Sequence, residues 1–394
     1  MSPRISRRHA LAAAATGATG LALTSVEALA QPALGGWGRQ TDVRVATYNV
    51  SLFREKAGDL VADLSRRTDA QAKAIAQVIQ INNPDILLLN EIDHDEAGEA
   101  VDLLRRNYLE VSQGGATPVH YPYVYTAPVN TGEPSGLDLD GDGALGGPGD
   151  AYGYGAFPGQ YGMAILSRYP IRTDEVRTFQ NLPWASMPSN LIPESFYSAE
   201  KIAALRLSSK SHWDVPVSVG SSVLHVLASH PTPPSFDGPE RRNARRNHDE
   251  IRLWADYLTG GSAASWIVDD AGVAGGLPVG KAAVVLGDLN ADPADGDSWP
   301  GAIDQLLTHP RLRDTHPTGS AHEERTASFT PAPDGPGPLR VDYVLPASQL
   351  TVVGSGVFWP RTSEPGGALI GPDAAKSPRT SDHRLVRLDL RLDA

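Results

Sequence analysis

Apolar and polar residues follow two patterns along the chain. Short, mostly unbroken apolar runs predict buried strands, and apolar residues spaced three or four apart predict helices. The predicted strands are 44–53, 85–92, 161–171, 223–231, 282–290, 341–346 and 384–392. The predicted helices are 70–82, 99–109, 240–259 and a short one near 301–307. Because both kinds of element are mixed along the chain without an internal repeat, we expect sheets covered by helices in one α/β domain.

Two long segments follow neither pattern. Residues 126–160 are rich in glycine, aspartate and proline and predict a loop, within which 130–160 is an Asp/Gly-rich insertion. Residues 180–220 are rich in proline, serine and tryptophan and predict irregular structure.

The first 30 residues have the composition of an export signal. Arg7 and Arg8 precede an Ala/Leu-rich stretch that ends in small residues at Ala30. This order is typical of a cleaved leader, and the Ser-Arg-Arg opening resembles a twin-arginine signal; a frayed apolar tail is the alternative. We therefore predict a twin-arginine-type signal peptide at 1–30, a linker at 31–41 and a single domain at 42–394, in a protein exported to the periplasm or the extracellular space.

The composition is that of an acidic globular protein, with 41% hydrophobic and 20% charged residues. After the N-terminus no apolar run is long enough to predict a membrane span. The first 30 residues hold three arginines and one glutamate, so their removal would take the net charge from −12 to −14. That charge disfavours passive adhesion to nucleic acid or anionic lipid. Cysteine is absent, so stability must come from the core, with bound metal as a further possible source. We predict no stable protein partner.

Polar side chains mark five predicted strand ends. They are Asn49, Glu91, His230, the pair Asp288 and Asn290, and the pair Asp382 and His383. Carboxylates and amides are hard oxygen ligands for Mg²⁺, Mn²⁺ or Ca²⁺, and histidines beside carboxylates suit proton transfer near neutral pH. Each residue alone has an ordinary alternative as a turn former, a paired buried carboxylate or a strand-end histidine. Independent turns are a poor explanation for polar residues at all five strand ends, so we predict that these residues form one shared site.

Seven short motifs occur between Val43 and Leu390 in the order TYNV, LLLNEI, YGMAILSRYPI, ASHP, GDLNADP, RVDYVLP and SDHRLV. In this order the chain resembles the endonuclease/exonuclease/phosphatase superfamily with its deoxyribonuclease I-like fold, which includes pancreatic deoxyribonuclease, inositol polyphosphate phosphatases and bacterial sphingomyelinases. The resemblance implies a four-layer αββα sandwich, with two mixed β-sheets packed face to face and helices outside. It also implies that this protein is an exported bacterial member of the superfamily, which hydrolyses phosphate esters with the help of a metal ion.

The resemblance further implies a catalytic metal ion. Glu91 would be the principal ligand, with Asn49 and Asp382 close by, and the ion would be Mg²⁺, with Mn²⁺ or Ca²⁺ as alternatives. Some superfamily members carry an acidic residue two places after the asparagine, where this chain has Ser51. We therefore expect one catalytic ion.

The resemblance also implies the catalytic roles. Asp288 would orient or deprotonate the attacking water, and Asn290 would hold a non-bridging phosphate oxygen. His383 would contact the phosphate, with Asp342 fixing its tautomer. His230 would be the general acid that protonates the leaving oxygen.

The Asp/Gly-rich insertion carries a second candidate metal site. Asp138, Asp140 and Asp142 alternate before Gly143, which imitates the start of a calcium loop. The twelfth position is Gly149 rather than glutamate, so the loop is not a complete EF-hand. A structural Ca²⁺ site and a solvated Asp/Gly turn both remain open.

Three further residues are candidates for substrate binding: Asn130, Lys210 and His212. For the segment around Lys210 and His212, an ordinary strand and turn is the alternative. A basic run could also meet phosphates or form a solvated helix face. It consists of Arg241, Arg242, Arg245 and Arg246.

The sequence therefore favours an exported, divalent-metal-dependent phosphoesterase that hydrolyses phosphodiesters or phosphomonoesters by in-line attack of water. The substrate would be a small-molecule, lipid-derived or nucleic-acid ester. An extracellular endonuclease or exonuclease is one alternative. A non-catalytic, calcium-stabilised binding protein is an alternative of another class.

Overall fold

Alternate residues of the central strands pack into different apolar cores. The structure is a computed structural model that describes residues 40–330, 333, 335–370 and 380–393. The strands are β1 (Gln40–Leu52), β2 (Ile86–Ile92), β3 (Tyr123–Tyr125), β4 (Met163–Ser167), β5 (Arg177–Thr178), β6 (His212–Val219), β7 (Ser222–Ser229), β8 (Ala282–Asp288), β9 (Ala327–Ser328), β10 (Pro338–Leu339), β11 (Asp342–Pro346), β12 (Thr351–Val357) and β13 (Val386–Asp393). The α-helices are α1 (Asp59–Ser65), α2 (Ala70–Asn82), α3 (Glu99–Leu104), α4 (Ala199–Ala204), α5 (Arg242–Thr259), α6 (Asp304–Leu307) and α7 (Gly367–Ile370).

Within the described residues, the strands form two large sheets and one short hairpin. The first sheet has the order β12-β13-β1-β2-β4-β3, and the second has the order β11-β8-β7-β6-β5. The pairs β1–β2 and β7–β8 are parallel and the other pairs are antiparallel, so both sheets are mixed. The short hairpin is β9–β10.

The two sheets pack face to face. Val43 and Val45 from β1 share one buried cluster with Val284 and Leu286 from β8, so this core lies between the sheets. Successive side chains of a strand point to opposite faces. The intervening residues of these strands therefore pack on the outside, where two further clusters contain the helices.

Each outer face is covered by its own helices. Ala46 and Tyr48 pack with Ile75 and Ile79 of α2, and residues of α1 and α3 join the same cluster. On the second sheet, Val285 packs in a cluster that includes residues of α5 and α6. The order helix, sheet, sheet, helix is the predicted four-layer αββα sandwich, which is thus confirmed.

Helix α2 shows why the predicted boundaries hold. The Asp69 carboxylate accepts a hydrogen bond from the Ala72 backbone N–H at 2.7 Å and caps the N-terminus. Asn83, at φ 52°, ends the helix in the left-handed conformation immediately before Pro84. The predicted helix 99–109 is also found, as α3 followed by a π-helical turn, Arg105–Leu109.

Some segments differ from the sequence prediction. The segment 180–220, predicted irregular, contains α4 and the buried strand β6. Asp214 interrupts the apolar pattern of β6, but its carboxylate accepts a hydrogen bond from the Tyr257 hydroxyl at 2.7 Å. Strand β12 was not predicted, and it holds two glycines at an edge of the first sheet.

The predicted leader 1–30 lies outside the described residues. Strand β1 begins at Gln40, within the predicted linker 31–41. The described helices include none that has the length and apolar character to cross a bilayer.

Gly287 is required for the close approach of β7 and β8. A Cβ atom at this position would lie 2.0 Å from the Ser229 carbonyl oxygen, and φ is 149°. We predict that Gly287→Ala lowers the free energy of unfolding by about 2 kcal/mol or more, because backbone must move to admit the methyl group. Urea denaturation measures the change.

The matched control is Gly147→Ala, where a Cβ atom would meet nothing within 4 Å. Its free energy of unfolding should stay within ~0.5 kcal/mol of the wild type. Equal unfolding midpoints for the two variants would contradict the packing described for Gly287.

Candidate active site

One cleft collects the polar residues from the strand ends. It has a volume of about 660 Å³ and is lined by Ser51, Glu91, Asp288, Asn290, Asp382 and His383, with Phe53, Tyr161, Phe236 and Phe329 among the apolar lining residues. Asn49, His230 and Asp342 are buried against it, each at most 1% exposed. The structure therefore brings together every residue predicted for catalysis or for the catalytic metal.

The Asp288 carboxylate lies at the centre of this group. Its Oδ2 accepts a hydrogen bond from Asn49 Nδ2 at 3.0 Å. The same oxygen lies 3.3 Å from Nε2 of His230 and 3.7 Å from Nε2 of His383. Oδ1 accepts a hydrogen bond from the Asn290 backbone N–H at 3.0 Å. One strand of the first sheet and three segments outside the strands thus converge on this buried carboxylate of the second sheet.

Asn90, which is not among the residues predicted for the site, also joins the two sheets. Its Oδ1 accepts hydrogen bonds from the Asp288 backbone N–H and from the Thr47 hydroxyl, both at 3.2 Å. The signal was present in the sequence, because Asn90 is a polar residue within the apolar run of β2. A buried amide that satisfies the backbone of the opposite sheet fixes the position of Asp288.

Neighbouring charges set the protonation of Asp288. Burial alone would raise the pKa of this carboxyl, but the positive charge of His383, together with the polar contacts from His230 and Asn49, holds it well below its ordinary value. Asp288 is therefore ionised at neutral pH and can accept a hydrogen bond from water.

His383 and Asp342 form a buried pair. Nδ1 of His383 donates to Oδ2 of Asp342 at 2.9 Å. Burial opposes protonation of His383, yet Asp342 and Asp288 raise its pKa well above the ordinary value. Burial raises the pKa of Asp342 to about 6, against the opposing effect of His383. With Nδ1 bound to Asp342, Nε2 of His383 faces Asp288 at 3.7 Å.

His230 is buried and uncharged in this state. Burial lowers its pKa to about 4, and the positive charge of Lys210 adds to the effect. Nδ1 has no hydrogen-bond partner within the described part of the chain, and Nε2 has only the Asp288 oxygen at 3.3 Å, whose negative charge opposes the lowering of the pKa. A buried imidazole whose hydrogen-bonding capacity is not fully used can still bind a group that enters the cleft.

Glu91 is the residue best placed to hold a cation. Burial raises its pKa to about 7; Asp382 and Asp288 add to the rise, while His383 and a hydrogen bond from Asn49 oppose it. Potential ligand atoms of Glu91, His230 and Asp288 lie within 4.8 Å of one another, and so do those of Asp288, Asp342 and His383. Several carboxylates and an amide form the donor set that Mg²⁺ or Ca²⁺ requires, and a cation would relieve their repulsion.

Three cleft residues have left-handed backbone conformations. Ser51, Glu91 and Asn290 have φ values of 48°, 58° and 52°. Non-glycine residues adopt this conformation rarely and at a cost in energy, and such residues concentrate at functional sites. Ser51 and Glu91 lie near the ends of β1 and β2, where the pairing of these strands shifts register, and Asn290 follows β8; all three line the cleft.

Two predicted substrate-binding residues have structural roles instead. The Asn130 side chain is fully used, since Nδ2 donates to the carbonyls of Gln180 and Ser208 and Oδ1 accepts from Arg206. His212 is completely buried, with Nδ1 2.7 Å from the Ser208 hydroxyl. The prediction is therefore corrected for these two residues, because internal hydrogen bonds occupy both side chains.

Lys210 remains a candidate. It is 6% exposed, and burial lowers its pKa while the carboxylates of Glu250, Glu91 and Asp288 raise it. The ammonium group has no hydrogen bond in the described structure. A buried cation next to the acidic centre is thus available to bind an anion.

Glu250 also positions residues of the site, and it is not among the residues predicted from the sequence. Its carboxylate accepts hydrogen bonds from the Ser209 and Thr232 backbone N–H groups, each at 2.6 Å. These bonds hold the segments that carry Lys210 and His230. The sequence offers no signal for Glu250, because this residue lies in the polar stretch ERRNARRNHDE.

The basic run on α5 is bound to the protein itself. Arg246 donates to the carbonyl oxygens of Leu207, Tyr152, Arg206 and Ser208. The guanidinium groups of Arg241 and Arg245 lie over the Trp299 ring, and Arg242 forms an ion pair with Glu240. The hypothesis that this run meets phosphates has no support here.

The Asp-rich loop brings three carboxylates together, but not the predicted three. Ligand atoms of Asp138, Asp140 and Asp150 lie within 4.8 Å of one another. Asp150 replaces Asp142, whose carboxylate instead accepts a hydrogen bond from the Ala144 backbone N–H at 2.7 Å. A structural Ca²⁺ site in this loop stays a prediction.

Several solved structures resemble the chain at low sequence identity. Among solved structures, the chain resembles an endonuclease/exonuclease/phosphatase from Beutenbergia cavernae with 20% identity and a TM-score of 0.52, covering 90% of this chain and 72% of the other. A family protein from Bacteroides thetaiotaomicron matches with 15% identity and a TM-score of 0.48 over 90% and 100% of the chains. Beta toxin from Staphylococcus aureus matches with 18% identity and a TM-score of 0.45 over 88% and 99%. No curated protein sequence matches the chain.

The sequence match extends over most of the chain. Residues 46–383 match the endonuclease/exonuclease/phosphatase family, a range that begins in β1 and ends at His383. The chain belongs to the endonuclease/exonuclease/phosphatase family.

Proposed function

We propose that this protein is a divalent-metal-dependent phosphoesterase that hydrolyses phosphodiesters or phosphomonoesters by in-line attack of water. The observation that carries the proposal is the single Asp288 oxygen that lies within 3.7 Å of Asn49, His230 and His383. Membership of a family named for nucleases and phosphatases supports it.

A divalent cation would be held by Glu91, with Asn49 and Asp382 beside it. When bound, it supplies charge neutralisation and polarisation of the phosphoryl oxygen. Mg²⁺ suits the oxygen donors, and Mn²⁺ or Ca²⁺ are alternatives.

The residues of the chain would supply water alignment and proton transfer. The ionised Asp288 carboxylate orients the attacking water and accepts its proton. The backbone strain of Asn290 aims this residue at the cleft, where its amide holds a phosphate oxygen. His383, kept protonated by Asp342, donates from Nε2 to the phosphate.

His230 would complete the reaction as the general acid. Burial and the charge of Lys210 keep this imidazole neutral although the Asp288 carboxylate lies 3.3 Å away, so it would take up a proton from water when the anionic phosphate binds as a second negative group. A bound phosphate raises the proton affinity of the ring in this way, and the proton then passes to the leaving oxygen.

Lys210 would bind the phosphate electrostatically. Glu250 holds the neighbouring Ser209 backbone, which fixes the buried ammonium near the site. In a cleft surrounded by carboxylates, this cation helps to offset repulsion of an anionic substrate.

Export is part of the proposal. The twin-arginine-type leader at 1–30 supports delivery of the folded protein across the membrane. Detection of the mature chain outside the cytoplasm after cell fractionation tests this localisation.

We predict that Asp288→Ala lowers kcat/KM for bis-p-nitrophenyl phosphate roughly a thousandfold, because water loses its aligned base. Assays with Mg²⁺, Mn²⁺, Ca²⁺ or a chelator measure the effect. Asp174→Asn, at an exposed position outside the cleft, is the control and should retain wild-type activity.

The same assay is extended to p-nitrophenyl phosphate and plasmid DNA. An absence of wild-type turnover on every ester with every metal would overturn the proposed function and favour a binding protein. If the wild type cleaves plasmid DNA and Asp288→Ala does not, the activity is that of a nuclease.

Glu91 makes metal binding and stability depend on pH. Its pKa is raised from 4.5 to about 7 in the folded protein, so its ionisation destabilises the metal-free protein as pH rises through that interval. We predict that the gain in Tm on adding Mg²⁺ grows from pH 5 to pH 8, because the cation competes with the proton.

Glu91→Gln isolates this contribution. In chelator, the difference in Tm between Glu91→Gln and the wild type should increase in favour of the variant as pH rises. The variant should also lose the pH-dependent gain from Mg²⁺. An identical Mg²⁺ response in both proteins would show that Glu91 does not hold the cation.

Lys210→Gln should lower kcat/KM about 10- to 100-fold through loss of phosphate binding, and Lys210→Arg should restore part of it. Steady-state kinetics measures both, and Lys281→Gln, at an exposed position, is the control. Unchanged kinetics in Lys210→Gln with an unchanged melting temperature would remove Lys210 from the site.

A further inference from the structure

Phe236 is an aromatic residue exposed at the rim of the cleft. It is 92% exposed, and it lines the same cleft as Asp288 and Asn290. Its backbone has a φ of 60°, a strained conformation for a bulky side chain. Burial in the fold cannot account for a phenylalanine held in this way, because almost all of its surface faces solvent.

The loop around Phe236 is rigidly held. The Asp237 carboxylate accepts hydrogen bonds from the Asn243 and Ala244 backbone N–H groups at 2.7 and 2.9 Å, at the start of α5. Asn243 Nδ2 donates to the Ser235 carbonyl oxygen at 2.8 Å. Two consecutive prolines precede Ser235 and restrict the backbone further. The backbone on both sides of Phe236 is thus anchored, which reduces the backbone entropy lost when a ligand binds this loop.

The same loop starts at the catalytic centre. His230 immediately precedes Pro231, whose carbonyl oxygen accepts a hydrogen bond from Asn290 Nδ2 at 3.1 Å. The group attached to the oxygen that His230 would protonate therefore lies nearest to this loop. Phe329 provides a second ring in the cleft, packed edge-on against His383 with the ring centroids 5.6 Å apart.

We propose that the cleft selects phosphate esters with a planar ring close to the ester oxygen, and that Phe236 stacks on this ring. This inference depends on the proposed function for the position of the phosphate. An exposed phenyl ring favours a planar, polarisable partner over an alkyl group of similar size, because stacking adds to the contact area. The ring can belong to an aryl alcohol or to a nucleoside, which share this chemistry.

Calorimetric titration in Mg²⁺ tests the proposal without requiring turnover. The probes are phenylphosphonate, methylphosphonate, hexylphosphonate and thymidine 5′-phosphate. Phe236→Ala should weaken binding of a ring-bearing probe about tenfold and change methylphosphonate binding by less than about twofold. Phe236→Trp should retain the affinity, and Val279→Ala, at a position 84% exposed, is the control.

The four probes distinguish the possible ligands. A loss confined to phenylphosphonate assigns the ring to an aryl ester, and a loss confined to thymidine 5′-phosphate assigns it to a nucleotide; both results support stacking. An equal loss for hexylphosphonate and phenylphosphonate would overturn the planar-ring assignment in favour of an alkyl or lipid group. Equal affinities of Phe236→Ala and the wild type for every probe would overturn the proposal.

The outcome is separable from that of the proposed function. Binding that depends on Phe236 in a protein that hydrolyses no ester would reject the phosphoesterase activity and retain the ring-binding site. If the protein hydrolyses esters but Phe236→Ala changes the affinity for no probe, the phosphoesterase activity stands and the ring-binding site is rejected.

Discussion

The site depends on keeping one carboxylate ionised between two β-sheets. Burying a charge is costly unless other groups compensate for it. For Asp288 the compensation comes from Asn49 of the opposite sheet, from the backbone N–H of Asn290 and from two histidines. Asn90 secures the backbone beneath it. A sandwich that brings strand ends of both sheets together makes this arrangement possible.

The same arrangement leaves an excess of negative charge. Burial holds the pKa of Glu91 near 7 and that of Asp342 near 6, so these acids resist ionisation in the absence of a partner. A bound cation would neutralise part of this negative charge and would also attract an anionic ester into the cleft. The strained backbone at Ser51, Glu91 and Asn290 fits this view, because strain persists where surrounding structure fixes a functional geometry.

Much of the fold and the centre of the site could be predicted from the sequence. Asn49, Glu91 and Asp288 interrupt or terminate apolar strands, a pattern that packing alone does not explain. The ordered motifs then indicated the αββα sandwich, which the two sheets and their helices confirm.

Other features depend on contacts between distant residues. Asn130 and His212 have suitable chemistry for substrate binding, but hydrogen bonds from remote segments occupy them. Asp150 joins Asp138 and Asp140 only because the loop closes on itself. The exposure of Phe236 likewise follows from the path of its loop rather than from its sequence context.

The convergence of cation and phosphate is tested most directly by a crystal structure of the protein with Mn²⁺ and inorganic phosphate. We expect an anomalous peak for a Mn²⁺ ion coordinated by Glu91, with phosphate within hydrogen-bond distance of Asn290 and His383. A Mn²⁺ peak found only at Asp138 and Asp150, with phosphate away from Asp288, would contradict it.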